Sequence, residues 1–334
     1  MNNKLCIEFG SNSIRFAKGK FRHEFLIDSF FTLSLEGETL IDSAYDEYFL
    51  GEMIKNELKS RGIRDRGVTF IISAMPNMLV REINIPPASI KDTYGMVKQE
   101  AGSHFPINLD NYVIDFRVVG IFEEDGVKKQ KVIVIAVPKF LIERLIDIAN
   151  AADLRLEKID VEANTLSKLL FEYQQQEYTV SNRPSLICAV QDTYLTMVIV
   201  KKGVIQMSKT SSYESVEAAL DTAQESYNQA AGTREIGSEV SEGEYNIAER
   251  RITGEIADNI ARYLSFYTSK HREDMETVYI TGEVGEKLDI GSAVRSRFEV
   301  KAKTIDDLKV VITNREYKGR DVSEYKNVFG GLLR

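Results

Sequence analysis

The sequence predicts an α/β protein of two similar lobes facing each other across a cleft, with a smaller β-α-β-β-α unit inserted into the first lobe. Three observations carry this. The opening strand-turn-strand, Leu5 to Phe21, has a faded copy at Leu186 to Ile205. In each, a short apolar run meets a polar turn, a second apolar run follows, and a Lys-Gly pair closes the next turn before a third strand. A chain of 334 residues also exceeds the length at which one core keeps growing, so two lobes or more are expected. Between about Leu79 and Asp153, finally, the strand and helix patterns follow an order of their own.

In chain order, Asp42 to Arg61 carries Tyr45, Phe49, Met53 and Leu58 at helical spacing and stops at Gly62, predicting a helix that returns across the sheet. Val68–Ala74 and Val80–Ile85 read as strands, the second stopped by Pro86-Pro87. Ser89 can cap a helix running to about Ser103. Tyr112–Phe122 and Lys129–Val137 are strands joined by Glu123-Glu124-Asp125-Gly126, whose Asp-Gly pair is a strong hairpin signal. A helix from Phe140 to about Ala152 completes the insert. Leu156–Val161 resumes a core strand, and Glu162–Tyr173 is a helix with Leu166, Leu169 and Leu170 on one side.

A polar linker, Gln174 to Pro184, leads into the second lobe, whose meander spans Leu186–Lys209 and is followed by a helix near Tyr213–Ala230. Ala231–Tyr245, rich in Gly, Ser and Glu, reads as a loop or a small subdomain. Asn246 to Lys270 places Ile252, Ile256, Ile260, Leu264 and Tyr267 on one stripe, a core-facing helix. Val278–Thr281 is a strand running into Gly282-Glu283-Val284-Gly285, and Ser323–Arg334 is a final short helix. The expected units are 1–78, 154–183 and 316–334 for the first lobe, 79–153 for the insert, 184–212 and 250–315 for the second lobe, and 213–249 for a small subdomain.

A net charge of −8 argues against a nucleic-acid surface and favours solubility. Cys6 and Cys188 fall inside apolar strand patterns at matching places of the duplicated units, as small buried hydrophobes do, so no disulfide is expected. His23, His104 and His271 lack ligand spacing, so no metal site is expected from them. No apolar stretch approaches the ~20 residues that span a bilayer, and the chain enters its first strand with no room for a signal peptide. The expectation is a cytoplasmic protein that meets the membrane only through a partner.

These pieces, in this order, resemble the actin-like superfamily, a duplicated ribonuclease H-like fold, and most closely the PilM family of type IV pilus assembly, itself similar to the cell-division protein FtsA. The resemblance is carried by Ile7-Glu8-Phe9-Gly10-Ser11-Asn12-Ser13-Ile14-Arg15 as the first phosphate turn. Gln99-Glu100-Ala101 to Phe105-Pro106 with Asp115-Phe116 is similar to the family's signature in its inserted 1C-type subdomain. Ala136-Val137-Pro138-Lys139, Ile159-Asp160-Val161-Glu162, Val278-Tyr279-Ile280-Thr281-Gly282 and Gly330-Gly331-Leu332-Leu333-Arg334 fall in the right relative order.

The resemblance implies a nucleotide cleft for ATP and magnesium built from Glu8, Gly10, Ser11, Asn12, Ser13, Arg15, Asp192, Thr193, Gly282 and Glu283. The departures are pointed. Glu8 stands where the family has a magnesium-holding aspartate, and one extra methylene disturbs an ion that demands octahedral geometry. The second turn reads Ala189-Val190-Gln191, with neither the acid nor the glycine, and Glu283 replaces a glycine on the adenosine side. Read from the residues alone, Gly10–Ser13 is a tight turn whose amides could meet a phosphate. On the same reading Glu8, Asp192 and Glu283 are solvated turn acids, and Arg15 points outward from an alternating strand.

The resemblance further implies a groove between insert and first lobe that receives the cytoplasmic tail of a PilN-like inner-membrane protein. Val80, Arg81, Ile83, Phe105, Pro106 and Ile107 are its candidate borders. Two classes of function compete. One is an adaptor of pilus assembly, touching the motor ATPase or platform proteins as well; the other is an ATPase of the same fold. Phosphoryl transfer depends on positioned metal and phosphate-cradling groups, so the altered turns favour the adaptor. An FtsA-like division protein would add a membrane-binding helix after the fold, whereas this chain ends at Arg334 directly after its last core helix.

Overall fold

The structure is a computed structural model and describes residues 4–35, 45–74, 78–104, 108–216, 218–222, 239–285, 287–305 and 308–333. The first apolar runs become β1 (Lys4–Phe9), β2 (Ser13–Phe21) and β3 (Phe25–Ser34), an antiparallel meander. Both faces of β1 are covered, which is why its pattern is a continuous apolar run and not an alternation. α1 (Glu47–Ser60) carries the chain to β4 (Gly67–Ile72), parallel to β1, and β8 (Arg155–Val161) lies parallel to β4. With β14 (Val310–Ile312) beside β3, the six-stranded order is β14-β3-β2-β1-β4-β8.

The second lobe repeats the plan. Its strands are β9 (Ser185–Val190), β10 (Tyr194–Lys201), β11 (Val204–Ser212), β12 (Thr277–Thr281) and β13 (Lys301–Thr304), in the order β11-β10-β9-β12-β13. The duplication is visible in one pair of bonds: the Gly10 amide donates to the Ser13 carbonyl, and the Gln191 amide to the Tyr194 carbonyl, both at 2.9 Å. That equivalence sets Glu8 opposite Ala189 and Cys6 opposite Ile187. The cysteines therefore do not match, contrary to the sequence expectation. One residue of offset turns a side chain to the other face, so Cys6 joins the core between the lobes and Cys188 the outer core of the second. The Lys-Gly pairs also differ. Lys202-Gly203 makes the turn, both with positive φ (51° and 74°), whereas Lys18-Gly19 stays inside β2 at a bulge.

Between the sheets lies α4 (Glu162–Gln176), whose Leu166, Leu169 and Leu170 pack with Cys6 and Ala17 of one lobe and Ile187 and Val198 of the other. α7 (Lys326–Gly330) closes the same core with Val328 and Phe329. On the outer faces, α1 and α3 (Lys139–Ala151) cover the first sheet. α5 (Glu239–His271) and α6 (Ile290–Arg295) cover the second.

Several sequence expectations are corrected here. On α1 the buried stripe is Leu50, Gly51, Ile54 and Leu58, while Phe49 is exposed and stacks on Tyr45. α5 buries all five residues of the expected stripe but begins at Glu239 and not at Asn246, so the expected loop ends earlier. The helix expected at Tyr213–Ala230 is helical at 216 and 218–222 and otherwise lies outside the described residues, as do 231–238. Val310–Ile312 belongs to the first sheet, so the chain leaves the second lobe before residue 315.

The insert forms an antiparallel sheet of β5 (Leu79–Ile85), β7 (Val127–Pro138) and β6 (Tyr112–Glu124), with β7 central. Asp125 and Gly126 both have positive φ (52° and 75°), the two-residue hairpin their sequence announces. α2 (Ile90–His104), with the Ser89 hydroxyl accepting from the Asp92 amide at 3.3 Å, packs Val97 on Ile83, Ile85, Val132 and Val134. α3 leaves this sheet and packs on α1, tying the insert to the first lobe. Among the described residues no helix is long and apolar enough to cross a membrane.

Candidate functional site: an interlobe cleft and two grooves

The two duplicated turns bring the lobes into contact at the mouth of the cleft, where Thr193 Oγ1 donates to Ser11 Oγ at 3.1 Å. Behind them Arg15 is buried, 5 % exposed, and does not point outward. Its Nη2 reaches Glu283 of the second lobe and its Nε reaches Glu324 near the C-terminal end, each at 3.3 Å. Its Nη1 lies 3.3 Å from where a Cβ on Gly10 would stand, so the guanidinium covers the face of the first turn. Burial opposes its charge, but Glu8, Tyr194, Glu324 and Glu283 more than reverse that and hold it protonated.

Glu8 is not a solvated turn acid: it is fully buried, accepting from Ser73 Oγ at 2.8 Å and Asn327 Nδ2 at 2.6 Å. Asp192 accepts from Ser215 Oγ at 2.7 Å at the start of the following helical stretch. Glu283 is partly exposed, paired with Arg15. Gly282 has φ 96° and sits so close to Val190 that a Cβ would stand 2.5 Å from its carbonyl oxygen, which explains a glycine there.

The sequence reading missed Glu162 as a site residue. It heads α4 between the sheets, fully buried, and accepts from Thr196 Oγ1 at 2.8 Å. Burial, reinforced by the charge of Glu8, pushes its pKa up to about 8. Beside it, Glu8 Oε2, Glu162 Oε1, Gln191 Oε1, Tyr194 Oη and Thr281 Oγ1 are buried without a protein partner among the described residues. The cleft floor is thus polar and rich in acceptors. An acid just after a strand, at the first turn of a helix otherwise apolar on its inner side, is the one signal the sequence offered.

Stability should therefore depend on pH through Glu162. Its folded pKa lies above the ordinary carboxylate value, so the folded state holds a proton the unfolded chain releases, and stability falls as pH rises from about 4.5 to about 8. Glu162→Gln is expected to flatten this slope and to gain on the order of 1 kcal/mol or more at pH 8. Denaturant melts at pH 5.5 and 8 check it; parallel pH profiles for the two proteins would refute the assignment.

Two grooves flank the insert. The first, about 840 Å³, separates insert from first lobe. β8, the edge of the six-stranded sheet, borders it on one side, and one face of the insert's sheet, with Val113 and Asp115 of β6 opposite Val137 and Ile135 of β7, borders it on the other. Ile135, Val137, Ile142, Ile146, Leu156 and Ile159 give it an apolar lining, and Asp115, Lys158 and Asp160 line it as well. Asp160 is kept ionised: burial would raise its pKa, but Lys168 at 2.9 Å and Lys158 at 2.6 Å hold it below the usual carboxylate value.

The second groove, about 600 Å³, lies between β5 of the insert and β11 and α5 of the second lobe. Val80 and Arg81, expected on the groove toward the first lobe, line this one instead, because β5 is the opposite edge of the insert's sheet. Ile83 is buried in the insert's own core, and Phe105, Pro106 and Ile107 lie outside the described residues.

With this geometry in place, comparison with known proteins gives a consistent answer. The family described as type IV pilus assembly protein PilM matches residues 6–329. Among solved structures, the PilM-PilN type IV pilus biogenesis complex superposes with a TM-score of 0.78 at 16 % identity, over 98 % of this chain and 97 % of that one. The ethanolamine utilization protein EutJ from Carboxydothermus hydrogenoformans gives 0.54 at 11 % identity, over 100 % and 90 %. No curated protein matches the sequence. The two lobes, the repeated turns and the inserted sheet are those of an actin-like fold, and the chain belongs to the PilM family of type IV pilus assembly proteins.

Proposed function

We propose that this protein is an adaptor of pilus assembly that holds the cytoplasmic tail of a PilN-like inner-membrane protein in the groove between β6 and β8. The partner is suggested by the PilM-PilN complex to which the chain is similar. The single observation that supports the place is the open edge of β8 running beside an apolar wall made by one face of the insert's sheet and α3. Residues 154 to 161 line the groove consecutively, so the backbone edge of β8, and not one side-chain face, borders it. An extended tail gains affinity there from main-chain hydrogen bonds and seats alternate side chains against Ile142 and Ile146. Such an adaptor works at the inner face of the membrane without entering it.

In this reading the cleft is a joint between lobes and not a seat for ATP and magnesium. Arg15 takes the face of Gly10, Ser11 and Thr193 hold each other, and the Glu283 carboxylate stands on the adenosine side. A triphosphate would have to displace the buried Arg15 guanidinium from its pairing with the partly exposed Glu283. Among the described residues no three acids or histidines converge as metal ligands. These residues do not fit Mg-ATP, and no hydrolytic step is assigned to them.

The test is a titration of a PilN-type tail peptide with and without Mg-ATP. Binding with unchanged affinity in both is expected. Ile146 is 44 % exposed, so Ile146→Glu should leave folding intact while weakening the peptide about tenfold or more. Unaltered affinity in this variant would remove the tail from this groove, and low-micromolar Mg-ATP binding would reverse the reading of the cleft.

A further inference from the structure

We infer that the second groove, between β5, β11 and α5, is a docking site for an acidic, extended segment of a partner protein, distinct from the groove assigned above. Three features of its construction point to this. Val80, Arg81 and Glu82 line it in succession, as do Gln206, Met207, Ser208 and Lys209. Consecutive residues of a strand alternate between faces, so a run of them along a groove means that the strand's edge borders it. β5 and β11 are both outermost in their sheets. β5 and β11 approach within 8 Å of each other, so an extended chain would lie along the two edges beside α5 and not between them, using the main-chain groups left at the rim.

The charge around it is one-sided. Arg81, Lys209, Arg262 and Lys270 are exposed on its walls, and none has a carboxylate partner among the described residues. Among the described residues the one acid lining the groove, Glu82, is paired with Lys131 at 3.0 Å. In a protein of net charge −8, four uncompensated cations converging on one groove leave a local field that favours an acidic segment and repels basic ones. α5 presents Asn259, Arg262, Tyr263, Phe266 and Lys270 at helical spacing along the third wall. Phe266, 56 % exposed, supplies an apolar contact between the cations. The occupant that matches is a strand of alternating acidic and apolar residues.

A labelled peptide alternating Glu and Val, and its Lys-Val counterpart, test this by fluorescence anisotropy on the full chain. The Glu-Val peptide is expected to bind at least tenfold more tightly, with affinity falling as salt rises. Arg81→Glu and Arg262→Glu are each expected to weaken it about tenfold while leaving the thermal midpoint and the affinity for the PilN-type tail unchanged. Equal binding of the two peptides overturns the inference. So does indifference to both charge reversals, and so does complete displacement of the peptide by millimolar inorganic phosphate, which would mark a small-anion site.

Discussion

Arg15→Ala is expected to destabilise the protein by about 3–5 kcal/mol, because it strips the guanidinium from a cluster that holds Glu8, Glu283 and Glu324. The cost comes less from the two ion pairs, whose carboxylates keep some exposure, than from the fully buried Glu8, which loses its compensating charge. Controls separate the two. Glu283→Gln, at a partly exposed site, should cost within about 1 kcal/mol, as surface pairs do. Arg15→Lys should recover part of the loss, since the ammonium keeps the charge but lacks the planar fork that lets Nε and Nη2 of Arg15 address Glu324 and Glu283 separately. Denaturant melts give the numbers. If Arg15→Ala is as stable as the parent, the guanidinium is not the charge on which the closed cleft depends.

Gly51→Val is expected to lower stability by about 3 kcal/mol or more and to weaken binding of the PilN-type tail at the same time. A Cβ at Gly51 would lie 2.4 Å from the Ala151 Cβ and 2.9 Å from the Ile148 carbonyl, so α1 and α3 can cross this closely only over a glycine. Backbone on one side of the clash leaves little room to relax, and overpacked cores pay in displaced elements. α3 would move, and with it Ile142 and Ile146 on the groove wall. Gly51→Ala combined with Ala151→Gly should be milder than Gly51→Ala alone, because the nearest of the opposing atoms is then gone. Full stability of Gly51→Val would show that the insert is not anchored through this crossing. Tail affinity preserved in a destabilised variant would separate the groove from α3.

Much of the fold was legible in the sequence because its signals are local. The Asp125-Gly126 hairpin, the Ser89 cap and the Ile252-to-Tyr267 stripe each depend on residues within one or two turns of one another. The failures share a cause as well. The buried stripe of α1 was misplaced because Tyr45 lies before the helix, packing on the core from outside it, and the exposed Phe49 stacks on Tyr45, which helical spacing cannot distinguish from core packing. β14 was missed because three residues carry no periodicity, and their strand exists only through β3, far away in the chain.

The candidate sites were legible as positions but not as environments. Glu8, Arg15 and Glu283 were found from the turns that hold them, yet which was buried, which solvated and which paired was decided by partners from α4, α7 and the opposite lobe. Val80 and Arg81 were likewise found as groove residues and assigned to the wrong side, since strand order within the insert is not written in the pattern of any one strand.

By itself the sequence determined the duplicated α/β plan, the insert and the membership of these residues in turns, edges and helices, because periodicity, capping and turn chemistry act over a few residues. Only the tertiary structure decided that Arg15 closes the cleft from within, that Glu162 keeps its proton near neutral pH, and that the insert turns its β5 edge to the second lobe and one face of its sheet to the groove beside β8. Those outcomes depend on desolvation and on charges brought together from distant parts of the chain, quantities that exist only once the lobes have packed.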